Sequence, residues 1–116
     1  MNYRKKGTAY EEIAASYLRK EKIKILKQNY RIRQGEVDLI GEDTSHLIFF
    51  EVKFRSSNKY GEPEFSISKN KRKRISKVSE YYLMRYPTDK QVRYDVICIC
   101  SDQIRWHKNA FYHCGY

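Results

Sequence analysis

Two short segments of the sequence place charged side chains inside runs that otherwise have the character of buried β-strands. The first is 35–40, Gly-Glu-Val-Asp-Leu-Ile, and the second is 50–53, Phe-Glu-Val-Lys. They contain the carboxylates of Asp38 and Glu51 and the ammonium group of Lys53. Carboxylate oxygens are the ligands that hard divalent cations such as Mg²⁺ take in proteins. The residue types therefore indicate a metal site on a β-hairpin.

A hairpin register follows from the polar stretch Glu-Asp-Thr-Ser-His between the two segments, which suits a tight turn. A turn at Thr44–Ser45 places Asp38 directly opposite Glu51 and Glu36 opposite Lys53. A slip of one residue would move every side chain to the other face of the sheet. The predicted register puts Val37, Leu39, Ile48, Phe50, Val52 and Phe54 on an apolar face, and Glu36, Asp38, Glu51 and Lys53 on the opposite face.

The predicted pairing has a cost, because directly opposed strand residues have Cβ atoms about 4.5–5.5 Å apart and like charges at that spacing repel. A divalent cation between Asp38 and Glu51 removes this repulsion and is our preferred interpretation. The alternative is a solvated sheet face on which Glu36 and Lys53 form an ordinary ion pair.

The composition favours a single domain that binds an anionic partner. A chain of 116 residues has the usual length of one domain, with a core at about 7–100 and a short C-terminal extension at 101–116. The formal net charge of +10 favours nucleic acid. No apolar run reaches the roughly 18 residues of a membrane-spanning helix, and no apolar segment follows the charged N-terminus. We therefore expect a cytoplasmic protein without a membrane partner.

Cys98 and Cys100 alternate within an apparent strand, so both side chains should point to one face. They fit reduced thiols that fill the core as small apolar residues. A zinc site formed by these two cysteines with His113 and Cys114 is a weaker alternative, because the spacing matches no usual set of zinc ligands.

A first helix is predicted at 8–20, where Tyr10, Ile13, Ala14, Tyr17 and Leu18 recur at the spacing of one apolar helix face. Thr8 suits the N-cap position, and Glu11 completes a capping box. Glu11 lies at the rim of the apolar face and can look into a site at the edge of the sheet, whereas Glu12 points to solvent. The alternative for Glu11 is a structural carboxylate at the start of the helix.

The remaining elements are mostly strands. Strands are predicted at 23–33, 36–41, 47–54 and 91–100, with a fifth at 104–111, and a second helix at 68–85. The segment 55–63 is polar, contains glycine and proline, and has the character of a mobile loop. The order αβββαβ, followed by a short strand, indicates an α/β domain.

The first half of the second helix is densely basic, with Lys69, Lys71, Arg72, Lys73, Arg74 and Lys77. Such runs are usually solvated helix faces. In a chain of this net charge, beside a candidate carboxylate site, a surface that contacts phosphate groups is our preferred interpretation.

The order of elements, with Asp38 on the second strand and Glu51-x-Lys53 on the third, resembles the PD-(D/E)xK restriction-endonuclease-like nucleases. A helical glutamate ahead of them, Glu11, is similar to the archaeal Holliday-junction-resolvase branch. More closely, the chain resembles the YraN-like family of uncharacterised bacterial proteins, which are predicted endonucleases of this fold. The resemblance covers about residues 7–97 and includes the segments 29–31, 35–40, 50–55, 60–63 and 93–97.

This resemblance implies a restriction-endonuclease-like core, with a mixed central sheet flanked by helices, and a nuclease that depends on Mg²⁺ or Mn²⁺. Asp38 and Glu51 would bind the metal directly, with the Val52 carbonyl as a further ligand and Glu11 completing the set. Lys53 would orient or deprotonate the attacking water, or stabilise negative charge. Glu36 would be an outer partner of Lys53 or part of a structural ion pair. Contacts to nucleic acid would come from Arg55, Lys59, Lys69, Lys71, Arg72 and Arg74.

DNA is the expected substrate, with branched or junction DNA as a candidate, and a homodimer is left open because paired cuts need two sites. One alternative is a module of this fold that binds nucleic acid without cleaving it. Another is a small basic assembly protein that binds ribosomal RNA, in which the acidic pair has no role.

Overall fold

The helices and strands follow one another in the predicted order. The structure is a computed structural model that describes residues 3–55, 66–101 and 103–114, with the side chains of the first helix described from Ala9 onward. The elements are α1 (Tyr3–Lys20), β1 (Lys24–Ile32), β2 (Gly35–Glu42), β3 (His46–Arg55), α2 (Lys69–Arg85), β4 (Gln91–Cys100) and β5 (Gln103–Phe111). The predicted loop beyond Arg55 lies outside the described residues. No helix in the described part of the chain is long and apolar enough to cross a membrane.

All five strands form one mixed sheet in the order β1-β2-β3-β4-β5. β3 and β4 are parallel, and the other neighbours are antiparallel. Parallel neighbours need a crossover connection, and α2 lies in that connection. The β2–β3 hairpin has the predicted register, because Leu39 pairs with Phe50. Asp43 closes the turn, since its carboxylate accepts hydrogen bonds from two backbone amides that follow it, at 2.9 and 2.7 Å.

A helix covers each face of the sheet. Alternate residues of β3 are therefore buried on opposite sides. Leu47 and Phe49 pack in a cluster with α2, and Ile48 and Phe50 pack in a cluster with α1. We predicted a polar face on the side that carries Glu51, and this prediction is wrong. A sheet whose parallel strands are joined through a helix is buried on that side. The buried residues of α2 in this cluster are Ile75, Val78 and Tyr82.

The side chains of β2 do not alternate regularly, so the predicted faces of this strand are wrong in part. Val37 packs in the α2 cluster, whereas Leu39 packs in the α1 cluster. The irregularity lies at Asp38, opposite Asn29 of β1, whose φ of 53° is a left-handed conformation that asparagine tolerates. Pairing of β1 with β2 continues on each side of this point. Glu36 consequently lies on the α1 side of the sheet.

The first helix begins before its predicted start, so Thr8 lies inside α1 and the predicted N-cap is wrong. The buried face also differs from the prediction. Ala14, Ala15 and Leu18 are fully buried, whereas Ile13 is 45% exposed. Two adjacent alanines let the helix backbone approach the sheet closely, and this contact leaves Ile13 at the rim.

The absence of a side chain at Gly35 sets the distance between α2 and the sheet. A Cβ atom at this position would lie 3.1 Å from the Cβ atom and 3.3 Å from the carbonyl oxygen of Arg74. A side chain at residue 35 would therefore push the first half of α2 a few tenths of an ångström away from the start of β2.

Cys98 and Cys100 have the predicted core position. Both are buried and neither forms a disulfide. Cys114 is half-buried, and its amide donates a hydrogen bond to Ser76 Oγ at 2.8 Å. The cysteines of β4 therefore serve as packing residues.

A fully buried carboxylate joins β4 to β5. Asp95 is 0% exposed. It accepts hydrogen bonds from the Arg93 guanidinium at 2.9 Å, the Trp106 indole at 2.9 Å and the Asn109 amide at 2.8 Å. Because both carboxylate oxygens have partners, the buried charge is compensated.

Asp95→Ala should lower the free energy of unfolding by about 3–5 kcal/mol, because removing one partner of a buried ion pair leaves Arg93 with an uncompensated charge. Urea unfolding followed by circular dichroism measures the change. Asp89→Ala, in the exposed segment before β4, is the control and should change stability by less than about 0.5 kcal/mol. A loss no larger than that of the control would contradict the role assigned to Asp95.

Candidate metal centre

Asp38 and Glu51 meet through their side chains, at a gap between β2 and β3. Pairing of the two strands extends from the turn to Leu39 and Phe50. Beyond this pair, the amide of Val52 donates to Asp38 Oδ2 at 2.7 Å. In an extended strand the amide and carbonyl of one residue point to the same side, so the Val52 carbonyl also faces the gap.

Glu11 reaches the same gap from α1. The residue is 8% exposed, and its Oε2 atom is buried without a hydrogen-bond partner among the described residues. One carboxylate oxygen from each of Glu11, Glu36 and Asp38 lies within 4.8 Å of the others. Because α1 begins well before Glu11, the alternative of a carboxylate at the helix start is wrong.

Glu51 approaches Asp38 from the other side of the sheet. It is buried on the α2 side of β3, and its carboxyl group lies within hydrogen-bonding reach of Asp38. Asp38 therefore lies between an acid from α1 and an acid directed toward α2.

Burial and the neighbouring Asp38 raise the affinity of Glu11 and Glu51 for protons. Burial and the neighbouring Asp38 raise the pKa of Glu51 to about 9, and the charge of Lys71 opposes this rise. Burial and Asp38 also raise the pKa of Glu11 to about 7, and a hydrogen bond with the Asn29 side chain opposes it. Both shifts have the cause expected of like charges in a poorly hydrated site.

The donor set fits a hard divalent cation. A bound cation with oxygen ligands would neutralise the buried Glu11 oxygen that has no donor among the described residues. It would also reduce the repulsion between the neighbouring acids. Asp38, Glu51 and Glu11 can supply side-chain oxygens, and Val52 can supply its main-chain carbonyl. The centre can therefore hold the predicted Mg²⁺ or Mn²⁺.

Glu36 pairs with Arg31 and not with Lys53, so the alternative of a Glu36–Lys53 ion pair is wrong. Glu36 lies on the α1 side of the sheet because β2 is irregular at Asp38. Its carboxylate accepts two hydrogen bonds from the guanidinium of Arg31, at 2.7 and 3.1 Å. Glu36 thus belongs to an ion pair at the edge of the centre and brings a fourth carboxylate close to it.

Lys53 lies two residues after Glu51, on the same face of β3. Its ammonium donates to the Ser66 carbonyl at 2.6 Å. Burial, with the nearby charges of Arg55 and Lys71, lowers the pKa of Lys53. This lysine therefore releases its proton more readily than a solvated lysine does.

The basic residues predicted to contact nucleic acid differ in their surroundings. Lys69 and Arg74 are exposed on α2. Arg72 is half-buried, with an Nε atom that is buried and has no partner in the described ranges. Arg55 ends β3, and Lys59 lies outside the described residues.

Sequence reasoning missed the roles of Asn29 and Lys71 in the site. Lys71 forms an ion pair with Glu51, with 3.1 Å between Nζ and Oε2. A signal for this contact was available, because Lys71 precedes the buried Ile75 by one helical turn. The signal for Asn29 was an asparagine within a strand, which is typical of a left-handed residue.

In the absence of divalent cations, Asp38→Asn should gain stability relative to the wild type as the pH rises from about 5 to about 9. Folded Glu11 and Glu51 bind protons more tightly than the unfolded chain does, so wild-type stability falls as these groups ionise. Asparagine keeps an acceptor for the Val52 amide and removes the charge that adds to the effect of burial on both pKa values.

Thermal unfolding in EDTA at several pH values measures this difference. Asp89→Asn, which removes an exposed carboxylate outside the centre, is the control and should run parallel to the wild type. A difference between Asp38→Asn and the wild type that does not change with pH would contradict the coupling.

Comparisons with known proteins identify the family. A profile of the uncharacterised protein family UPF0102 matches residues 10–99. The UPF0102 protein of Lachnoclostridium phytofermentans is 39% identical, over 96% of this chain and 96% of its own length. That of Persephonella marina is 41% identical, over 91% and 92% of the two chains. The chain therefore belongs to the uncharacterised protein family UPF0102, the YraN-like family that its motifs predicted.

Proposed function

We propose that the protein is a nuclease that hydrolyses phosphodiester bonds in DNA and depends on Mg²⁺ or Mn²⁺. One observation carries the proposal: Glu11, Asp38 and Glu51 come from three separate elements to one buried gap, with Lys53 beside them. Acids such as Glu11 and Glu51, whose pKa values are raised by burial and by a neighbouring acid, are typical of catalytic centres.

We assign the restriction-endonuclease-like fold to the domain as part of this proposal. The acids lie on the β2–β3 hairpin, and β3 is joined to its parallel neighbour β4 through α2. Helices cover both faces of the sheet. These features support the resemblance on which the fold assignment rests.

Phosphodiester hydrolysis needs an attacking water and neutralisation of charge on the phosphoryl oxygens. A divalent cation in the centre supplies charge neutralisation and lowers the pKa of a water molecule. Asp38, Glu51 and Glu11, with the Val52 carbonyl, would hold it. Lys53 has a lowered pKa and can take a proton from the attacking water. The Ser66 carbonyl, 2.6 Å from Lys53 Nζ, directs that group.

The charge distribution supports a nucleic-acid substrate. Lys69 and Arg74 are exposed on α2, whose first turn adjoins the centre through Lys71. Contacts from such residues to phosphate groups position the substrate without reading its sequence. We therefore propose DNA that is bound without strong sequence preference, with branched DNA as one candidate.

Cleavage of labelled single-stranded, duplex, flap and four-way-junction DNA in Mg²⁺, Mn²⁺ or EDTA tests the proposal. We expect cleavage only with a divalent cation, and Asp38→Asn and Lys53→Met should each lower the rate by at least about 100-fold. Lys90→Met is the matched control, because the Lys90 ammonium binds Glu42 at the far end of the hairpin. It should cleave as the wild type does.

Other results would favour the alternatives. DNA binding that Asp38→Asn and Lys53→Met leave unchanged, without cleavage in any metal, would favour a module that only binds nucleic acid. A preference for RNA without metal binding would favour an assembly protein.

Affinity for duplex DNA in EDTA should fall steeply as salt increases. Lys69→Ala and Arg74→Ala should each reduce the slope of log affinity against log salt concentration by about 1, because each removes one phosphate contact. Fluorescence anisotropy measures the slope. Lys20→Ala, at the exposed end of α1, is the control, and a reduction equal to that of the α2 variants would contradict the assigned surface.

A further inference from the structure

Lys71 belongs to the basic part of α2, yet its ammonium contacts the carboxylate centre. Nζ lies 3.1 Å from Glu51 Oε2, and the Lys71 side chain is 45% exposed while that of Glu51 is 8% exposed. Lys69 and Arg74, on the same part of the helix, are exposed. The Lys71 ammonium thus contacts a buried acid, while much of the Lys71 side chain is open to solvent.

The backbone of Lys71 is held in place independently of this ion pair. Its amide donates to Oγ of Ser68, the N-cap of α2, at 3.2 Å. The segment before the cap is tied to β3, because Lys53 Nζ donates to the Ser66 carbonyl at 2.6 Å. A lysine side chain is a flexible stem with a compact charge. The ammonium can therefore leave Glu51 while the helix stays where it is.

We infer that Lys71 occupies the cation position at Glu51 and exchanges it for a divalent cation, after which its ammonium binds a phosphate group of the nucleic acid. The inference rests on the proposed function. Because Lys71 Nζ is 3.1 Å from Glu51 Oε2, a divalent cation bound by Glu51 would be close to this ammonium, and like charges repel strongly in a partly buried site. One of the two positive groups must therefore move, and the lysine is the group with a path to solvent.

A phosphate group of the nucleic acid is the second partner of the released Lys71 ammonium. It stays tethered to the first turn of α2, between the centre and the exposed basic residues of that helix. A phosphate group that reaches the cation comes within range of the same lysine. The exchange keeps a positive partner on Glu51 in both states and delivers the ammonium only when the cation is present.

Calorimetric titration with Mg²⁺ at pH 8.5 tests the exchange on the full chain. Lys71→Met should bind Mg²⁺ about tenfold more tightly than the wild type, because a competing positive charge is lost. Lys71→Arg, which keeps the charge, and Lys69→Met, which removes an exposed charge from the same turn, should stay within about twofold.

Duplex binding gives a second readout, with Ca²⁺ used to limit cleavage. In Ca²⁺, Lys71→Met should bind the duplex about tenfold more weakly than the wild type, whereas in EDTA the two should agree within about twofold, because Glu51 then holds the lysine. Urea unfolding checks that each variant is folded, and Lys71→Gln replaces Lys71→Met if the latter is not.

The outcomes separate this inference from the proposed function. Equal Mg²⁺ affinity in wild type and Lys71→Met, with binding lost in Asp38→Asn, would overturn the exchange and leave the nuclease proposal standing. Tighter Mg²⁺ binding by Lys71→Met, in a protein that cleaves no nucleic acid, would support the exchange and count against the nuclease. Absence of Mg²⁺ binding in both proteins would overturn both proposals.

Discussion

The repulsion among Glu11, Asp38 and Glu51 is the constraint on which the arrangement of the molecule depends. Each acid comes from a different layer: one from α1, one from the gap between β2 and β3, and one from the α2 side of β3. Asp38 and Glu51 meet on the β2–β3 hairpin, whereas Glu11 joins them only when α1 packs on the sheet. The packing energy of the α1 cluster therefore holds Glu11 beside acids from which it would otherwise separate.

The described part of the protein contains two buried acidic sites with opposite properties. Asp95 has a donor for each oxygen, so its charge strengthens the contact between β4 and β5. Among the described residues, Glu11 has an oxygen without a donor, and Glu51 has one basic partner, Lys71, against an adjacent acid. The charge of Asp95 is thus neutralised by described residues, whereas the charge of the second site is neutralised only in part. Incomplete neutralisation of this kind is more typical of functional sites than of structural ion pairs.

The sequence was sufficient to predict features that depend on residues close together in the chain. Bounds of β4 agree with the prediction, because a run of β-branched and aromatic residues ends in polar turns on both sides. The hairpin register was also predicted correctly, since the turn at Asp43 leaves few alternatives. The convergence of Asp38 with Glu51 follows from that register and needed no knowledge of the helices.

Features that depend on contacts between elements were not predictable in the same way. The rotation of α1 that exposes Ile13 depends on how two alanines meet the sheet. The partner of Glu36 depends on the irregularity opposite Asn29, and periodicity rules assume a regular strand. The spacing of Lys71 from Ile75 places it near the sheet, but the acid that it meets depends on how α2 packs on β3.

Gly35 links the geometry of the acidic centre to the distance between α2 and the sheet. Its missing side chain lets the backbone at Arg74 come close to the start of β2, and Lys71 is one helical turn away on the same segment. A side chain at residue 35 would press on the Arg74 backbone, and any resulting rise of α2 would lengthen the 3.1 Å contact between the Lys71 ammonium and Glu51. The contact between Lys71 and the buried acid therefore depends on a residue that has no functional group and acts only through the packing of α2 on the sheet.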